Sequence, residues 1–104
     1  MAFADNLKQL PAISHLASLQ LLDASGAVVA TIENKPGKAG SLAVYAALAA
    51  KYGSITVAAA QEGIELFAEH TADARANPGK HPNIDRLFEV IASGQGFAAR
   101  LVNA

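Results

Sequence analysis

Residues 19–32 read LQLLDASGAVVATI, and this stretch carries the clearest β signal in the chain. Two runs rich in leucine, valine and isoleucine flank a short turn that begins at Asp23 and ends at Gly26. Aspartate at the first and glycine at the fourth position are typical of a type I turn, in which glycine can adopt a positive φ. The stretch therefore predicts a β-hairpin. Strict alternation in the second strand places three apolar side chains on one face: Val28, Ala30 and Ile32.

Upstream of the hairpin, residues 5–10 are predicted to form a short helix with Asp5 as its N-cap and Pro11 at its end. At the other end of the chain, residues 97–102 read FAARLV and are predicted to form a strand that joins the hairpin. The strands thus come from both ends of the sequence, and the helices lie between them.

Three further helices are predicted between the hairpin and the last strand. The first is capped by Ser41 and stops at Gly53, because serine satisfies free N–H groups and glycine adopts the left-handed conformation after a last turn. The second is capped by Thr56 and continues to residue 76, and the third begins at Pro82 and ends at Gly94. On the long second helix, four carboxylates fall in one sector opposite an apolar stripe: Glu62, Glu65, Glu69 and Asp73.

Together these elements predict an α+β fold in one domain that spans residues 1–104. A three-stranded antiparallel sheet, made of the N-terminal hairpin and the C-terminal strand, packs against three to four helices on one face. So small a sheet has open edges, and we therefore expect a homo-oligomer, with a homodimer as the simplest case.

Composition narrows the possible functions. Hydrophobic residues make up 52% of the 104, which is typical of a packed globule, and there is no cysteine for disulfides, thiolate metal sites or nucleophiles. The net charge is -1 and the lysines are scattered, so we expect neither nucleic acid nor an anionic membrane as a partner. The N-terminus lacks the pattern of a secretory signal, and the longest uncharged apolar stretch, residues 39–50, is too short for a membrane span. A cytoplasmic location is the resulting expectation.

One candidate site combines His70, Asp73 and His81. Should the helices on either side of residues 77–80 form a hairpin, two imidazoles and a carboxylate converge, which suits zinc or iron with an open position. Glu69 is then a candidate general base. The alternative is a solvated acidic face, because no His-Glu-x-x-His or Glu-x-x-His pattern occurs. No cofactor is predicted beyond this possible divalent metal.

A second candidate site is an anion-binding loop before the first of these three helices. Glycines expose backbone N–H groups, the helix directs its positive end at the loop, and two lysines flank it. The candidate residues are Lys35, Gly37, Lys38, Gly40 and Ser41. The order is not that of a phosphate-binding Walker loop, and the alternative is a solvated turn with a serine cap. The tripeptide Pro-Gly-Lys recurs at residues 78–80, again before a helix, which indicates two similar turns rather than a duplicated unit.

Residues 68–87 read AEHTADARANPGKHPNIDRL, and residues 34–38 read NKPGK. With these motifs the chain resembles, over nearly its whole length, a family of small bacterial proteins catalogued only as a domain of unknown function. The resemblance implies a bacterial single-domain protein and brings no activity, cofactor or catalytic residue.

The sequence therefore favours a binding or interaction module of unknown ligand. The alternative function is a metal-dependent hydrolase or lyase that uses the His/Asp site.

Overall fold

The computed structural model describes residues 2–104, which form a three-stranded antiparallel sheet and five helices. The elements follow in the order α1 (Phe3–Gln9), β1 (Leu16–Leu22), β2 (Val28–Glu33), α2 (Ala39–Tyr52), α3 (Val57–Leu66), α4 (Glu69–Ala76), α5 (Pro82–Ser93) and β3 (Ala98–Asn103). The predicted α+β class is confirmed, as is the sheet made of the hairpin and the C-terminal strand.

The sheet has the order β2-β1-β3, so the first strand is central and both of its neighbours are edge strands. Leu19 pairs with Ile32 on one side and with Leu101 on the other. The hairpin turn is held by the Asp23 carboxylate, which accepts hydrogen bonds from the backbone N–H groups of Ser25 and Ala27. Gly26, the fourth residue of the turn, has a φ of 87°, a conformation that glycine adopts without strain.

One face of the sheet packs on the helices and forms a single hydrophobic core. Leu19 and Leu21 of the central strand are fully buried there with Leu48 of α2 and Leu87 of α5. Gly63 lets α3 approach its neighbours closely, since a Cβ at this position would lie 2.7 Å from the Leu87 Cδ1 atom. The core thus fixes α2, α3 and α5 against the sheet.

The alternation predicted for the second strand is wrong at its first residue. A bulge between Leu21 and Leu22 places both Val28 and Val29 near Leu22, and Val28 is 45% exposed instead of sharing the buried face of Ile32. An extra residue in one strand shifts the side-chain period, which a two-residue repeat in the sequence does not reveal.

Two helix starts differ from those predicted. α1 begins at Phe3, so Asp5 lies within its first turn rather than at the N-cap. α2 begins at Ala39, with Lys38 at the N-cap and no side-chain cap, so the predicted cap Ser41 is a residue of the helix. The chain enters this helix directly from a turn, because the Lys35 carbonyl accepts from the N–H groups of Lys38 and Ala39.

The long helix predicted for residues 57–76 is two helices. Thr56 caps the first as predicted, by accepting from the Ala59 N–H, but the helix ends at Leu66 and Ala68 has a φ of 52°. A positive φ is unfavourable for alanine and turns the chain into α4. The four predicted carboxylates therefore do not share one helical sector, since Glu62 and Glu65 lie on α3 and the other two lie on α4.

The remaining ends agree with the predictions. Gly53 and Gly94 end α2 and α5 with φ values of 81° and 77°. No helix within residues 2–104 is both long and apolar enough to cross a membrane.

Candidate ligand-binding cleft

A cleft of about 530 Å³ opens between α1, the start of α2, α4 and the start of α5. Its volume falls within the range of about 300–1,000 Å³ that is common for small-molecule sites. The residues that line it come from four separate segments of the chain: Phe3, Leu7, Gly37, Lys38, Ala39, Gly40, Ser41, Phe67, His70, Lys80, His81, Pro82, Asn83 and Ile84.

The two Pro-Gly-Lys turns meet at this cleft. Gly37 and Gly79 have φ values of 83° and 91°, so each turn uses its glycine in the left-handed region that other residues rarely adopt. The lysine that follows each glycine, Lys38 in one turn and Lys80 in the other, lines the cleft. The two turns therefore place Lys38 and Lys80, together with the N-termini of α2 and α5, at the same cleft.

Backbone N–H groups of these helix starts remain available for a ligand. Within residues 2–104, the N–H groups of Gly40, Ser41 and Asn83 have no hydrogen-bond acceptor. The first N–H groups of any helix lack partners within the helix, and they bear the positive end of its dipole. Both α2 and α5 present this end at the cleft, because these three residues line it.

The side chains around the cleft are basic rather than acidic. Lys38, Lys80, His70 and His81 line it, and no lining residue is an aspartate or glutamate. Lys80 lies 2.9 Å from the Asp73 carboxylate, which stands behind the lining and balances part of this charge. No such ion pair involves Lys38 among the described residues.

Asp73 connects α4 to the residues that precede α5. Its Oδ2 atom lies 2.6 Å from His81 Nε2, and its Oδ1 atom accepts from the Asn77 side chain. Hydrogen bonds from His81 and Lys80 lower the pKa of Asp73 from its ordinary 3.8 to about 2, so the carboxylate is ionised at neutral pH. This contact fixes the ring of His81, which is the N-cap residue of α5.

The three predicted metal ligands lie close together. The His70 and His81 rings are 5.6 Å apart between centroids, and Asp73 contacts His81 directly. Among residues 2–104, no three His, Asp or Glu side chains are arranged to hold a metal ion. The metal site therefore stays a prediction.

Glu69, the predicted base, serves as an anchor for α1. Its Oε1 atom accepts a hydrogen bond of 2.7 Å from the Phe3 backbone N–H, and this bond lowers the pKa of Glu69. A carboxylate with a lowered pKa is a weaker base. Asn6 adds a second anchor by donating to the Leu66 carbonyl.

The aromatic wall of the cleft follows from this anchoring. Phe3 stacks on Phe67 at 5.4 Å between ring centroids, and its ring meets His70 edge-on at 4.9 Å. Phe67 is 3% exposed and belongs to the core, whereas Phe3 is half-buried and lies on the surface helix. The cleft therefore has one apolar side and one side of polar donors.

The five predicted anion-binding residues divide into two groups. Gly37, Lys38, Gly40 and Ser41 line the cleft. Lys35 is not among the lining residues, and its ammonium lies 2.6 Å from the Glu33 carboxylate. Anion binding itself stays a prediction.

Several residues of the cleft were not predicted from sequence. Phe3 lies before the first predicted helix, and Phe67 falls within the helix predicted for residues 57–76 without a functional role. Asn83 was not singled out. Asn83 is held at two points, since its carbonyl accepts from the buried Tyr45 hydroxyl and its side chain accepts from Arg86. The repeated Pro-Gly-Lys was the one available signal, because two identical turns before two helices are able to frame one site.

Comparison with known proteins finds one related family and no curated relative. Residues 3–101 match the model of DUF2322, described as uncharacterized protein conserved in bacteria. No curated protein and no solved structure matches the chain. The match covers nearly the whole sequence, and the chain therefore belongs to the DUF2322 family of uncharacterized bacterial proteins.

Proposed function

We propose that the protein is a binding module for a small anionic molecule, and that the cleft between the two Pro-Gly-Lys turns is its binding site. The observation that carries the proposal is the lining of the cleft, which contains two lysines and two histidines and no carboxylate. Ligand sites are typically concave and combine an apolar wall with a few convergent polar groups.

The local charge favours an anion over a neutral ligand. Lys38 and Lys80 are the charged residues of the lining, and the carboxylates of Asp73, Glu69 and Asp85 lie outside it. The imidazoles of His70 and His81 add donors. The N–H groups of α2 and α5 add partial positive charge within the same cleft. A phosphate or a carboxylate is the simplest group that suits donors of this kind.

Titration of the ¹⁵N-labelled protein with inorganic phosphate tests this proposal. We expect saturable amide shifts at Gly40, Ser41 and Asn83. The Lys38→Gln variant should weaken the apparent affinity about fivefold or more, whereas Lys51→Gln, at the other end of α2 and paired with Glu62, should leave it unchanged. Shifts confined to other surfaces, or equal losses in both variants, would count against the cleft as the site.

A homo-oligomer remains part of the proposal, and the shape of the sheet supports it. Strands β2 and β3 are both edge strands, and the large apolar side chains that are exposed within residues 2–104 all lie on them: Val28, Val29 and Leu101. Open edges with apolar side chains favour pairing with another chain. Native mass spectrometry should find a multiple of the chain mass of 10.7 kDa, and a mass equal to one chain would reject the oligomer.

The second candidate function is a hydrolase or lyase. The contact of 2.6 Å between Asp73 and His81 favours it, because a carboxylate that orients a histidine is common in acid–base catalysis. In the metal-dependent form, His70 is the third ligand beside these two. Metal analysis of protein purified without chelators decides this form: one bound metal per chain that is lost in His70→Ala with His81→Ala supports it, and metal-free protein rejects it.

A further inference from the structure

The apolar wall and the donors of the cleft are in direct contact with each other. A Cβ atom placed on Gly40 would lie 3.1 Å from both the Cε2 and the Cζ atoms of Phe3. The Phe3 ring therefore packs against the backbone of the same residue whose N–H is free for an anion. There is no polar spacer between the surface suited to an apolar group and the donors suited to a charge.

The aromatic side of the cleft is held in place from two directions. Phe67 supports the Phe3 ring from below by stacking at an interplanar angle of 18°, and Glu69 holds the Phe3 backbone N–H. Leu7, one helical turn later on α1, extends the same apolar surface. A rigid flat surface of this kind binds flat apolar groups with little loss of conformational freedom.

We infer that the ligand of this cleft is a compact aromatic anion, in which a phosphate or carboxylate is attached directly, or through one atom, to a flat ring. This inference rests on the proposed function and adds the apolar part of the ligand to its charged group. The charged group takes the N–H groups of Gly40, Ser41 and Asn83 with Lys38, and the ring lies against Phe3 and Leu7. A short link between ring and charge suits this arrangement, because the Phe3 ring packs against Gly40.

The test compares phenyl phosphate with methyl phosphate, two dianions that differ in the apolar group. Isothermal titration calorimetry should give a dissociation constant for phenyl phosphate at least tenfold lower than that for methyl phosphate. Benzoate should likewise bind more tightly than acetate, which distinguishes a preference for rings from a preference for phosphate. Benzyl alcohol, which has the ring without the charge, should bind more weakly than either aromatic anion.

Two variants of the aromatic wall assign the effect to the cleft. Phe3→Ala should reduce the preference for phenyl phosphate over methyl phosphate to about threefold or less. Phe3→Leu keeps an apolar side chain on α1 without the flat ring, and it should give an intermediate preference. Should the alanine variant release α1 from the protein, the leucine variant still reports on the ring.

The outcomes separate this inference from the proposed function. Equal binding of phenyl and methyl phosphate, with shifts at Gly40 and Ser41, would overturn the aromatic ligand and leave anion binding in place. Tighter binding of benzyl alcohol than of benzoate would overturn both. Absence of binding by every one of these compounds would reject the proposed function, and the inference with it.

Discussion

The two halves of α5 lie in different environments. Towards its C-terminal end, Leu87 and Val90 are fully buried in the core, where α3 approaches closely at Gly63. At its start, Pro82 and Asn83 line an open cleft whose other walls come from α1, the start of α2 and α4. α1, which forms one of these walls, contains no fully buried residue. The core half maintains the fold, and the cleft half is held by a few anchoring contacts, so substitutions in the two halves should have separable effects.

Leu87→Ala gives the largest expected effect and acts on the core half. Truncation of a fully buried leucine leaves a cavity, and we expect the free energy of unfolding to fall by about 3 kcal/mol. Urea denaturation followed by circular dichroism measures this change. Leu7→Ala, on the partly buried cleft wall, is the matched control and should cost less than half as much. Equal losses of unfolding free energy in the two variants would contradict the distinction between the core half and the cleft half.

Tyr45→Phe tests the link between the halves. The Tyr45 hydroxyl donates to the Asn83 carbonyl and so ties α2 to the start of α5. Its removal deletes this partly buried hydrogen bond, and we expect the free energy of unfolding, measured by urea denaturation, to fall by about 1 kcal/mol. Phosphate affinity should fall as well, because Asn83 loses one of its two anchors. Unchanged affinity would show that the position of Asn83 does not depend on this bond.

The same tyrosine predicts a change of stability in alkali. Burial raises the pKa of Tyr45 to about 12 from an ordinary value of 10.0, so the folded protein favours the neutral phenol. This contribution to stability is complete below pH 10 and is lost as the pH rises towards 12. Thermal melts of the wild type should therefore decline more steeply across this range than those of Tyr45→Phe. Parallel declines would contradict the burial of the phenol.

Ala68→Gly acts on the break between α3 and α4. Glycine adopts a φ of 52° without the penalty that alanine incurs, so the variant should be more stable by up to about 1 kcal/mol. Flexibility of the glycine in the unfolded chain offsets part of this gain. Ala72→Gly, within the exposed face of α4, is the control and should be destabilised. A loss of stability in Ala68→Gly would indicate that the break is not strained.

Asp73→Asn should have the smallest effect on stability, because the Asp73 ion pairs with Lys80 and His81 are partly exposed to solvent. The lowered pKa of Asp73 contributes stability above its ordinary value of 3.8, and this is lost as the pH falls towards 2. The variant should therefore show a flatter decline of the melting temperature in acid. Phosphate affinity should rise, since one negative charge beside the cleft is removed. A fall in affinity would mean that Asp73 holds His81 and Lys80 in the binding geometry.

The sequence predicted the elements that depend on local chemistry. Asp23 specifies the hairpin turn through hydrogen bonds of its carboxylate to nearby backbone N–H groups. Gly26, Gly53 and Gly94 act through their own backbone conformation, since each has a positive φ. The break at Ala68 was missed because alanine is a strong helix former and nothing nearby signals a positive φ. In that case tertiary packing prevailed over propensity.

The sequence indicated the separate segments that line the cleft, but it did not indicate that they come together. The loop that contains Lys38 and the segment that contains His70 and His81 were predicted as two separate sites, one for an anion and one for a metal. The fold places both at one cleft, together with Phe3 from the start of the chain. Such convergence depends on how α1 and α5 pack on the rest of the protein, and a helical period or a turn motif carries no information about it.

A crystal structure of the protein with phenyl phosphate tests the central claim most directly. The account predicts the phosphate within hydrogen-bond distance of the N–H groups of Gly40, Ser41 and Asn83, and the ring against Phe3. Phenyl phosphate bound elsewhere, or a cleft that stays empty at saturating concentration, would contradict it.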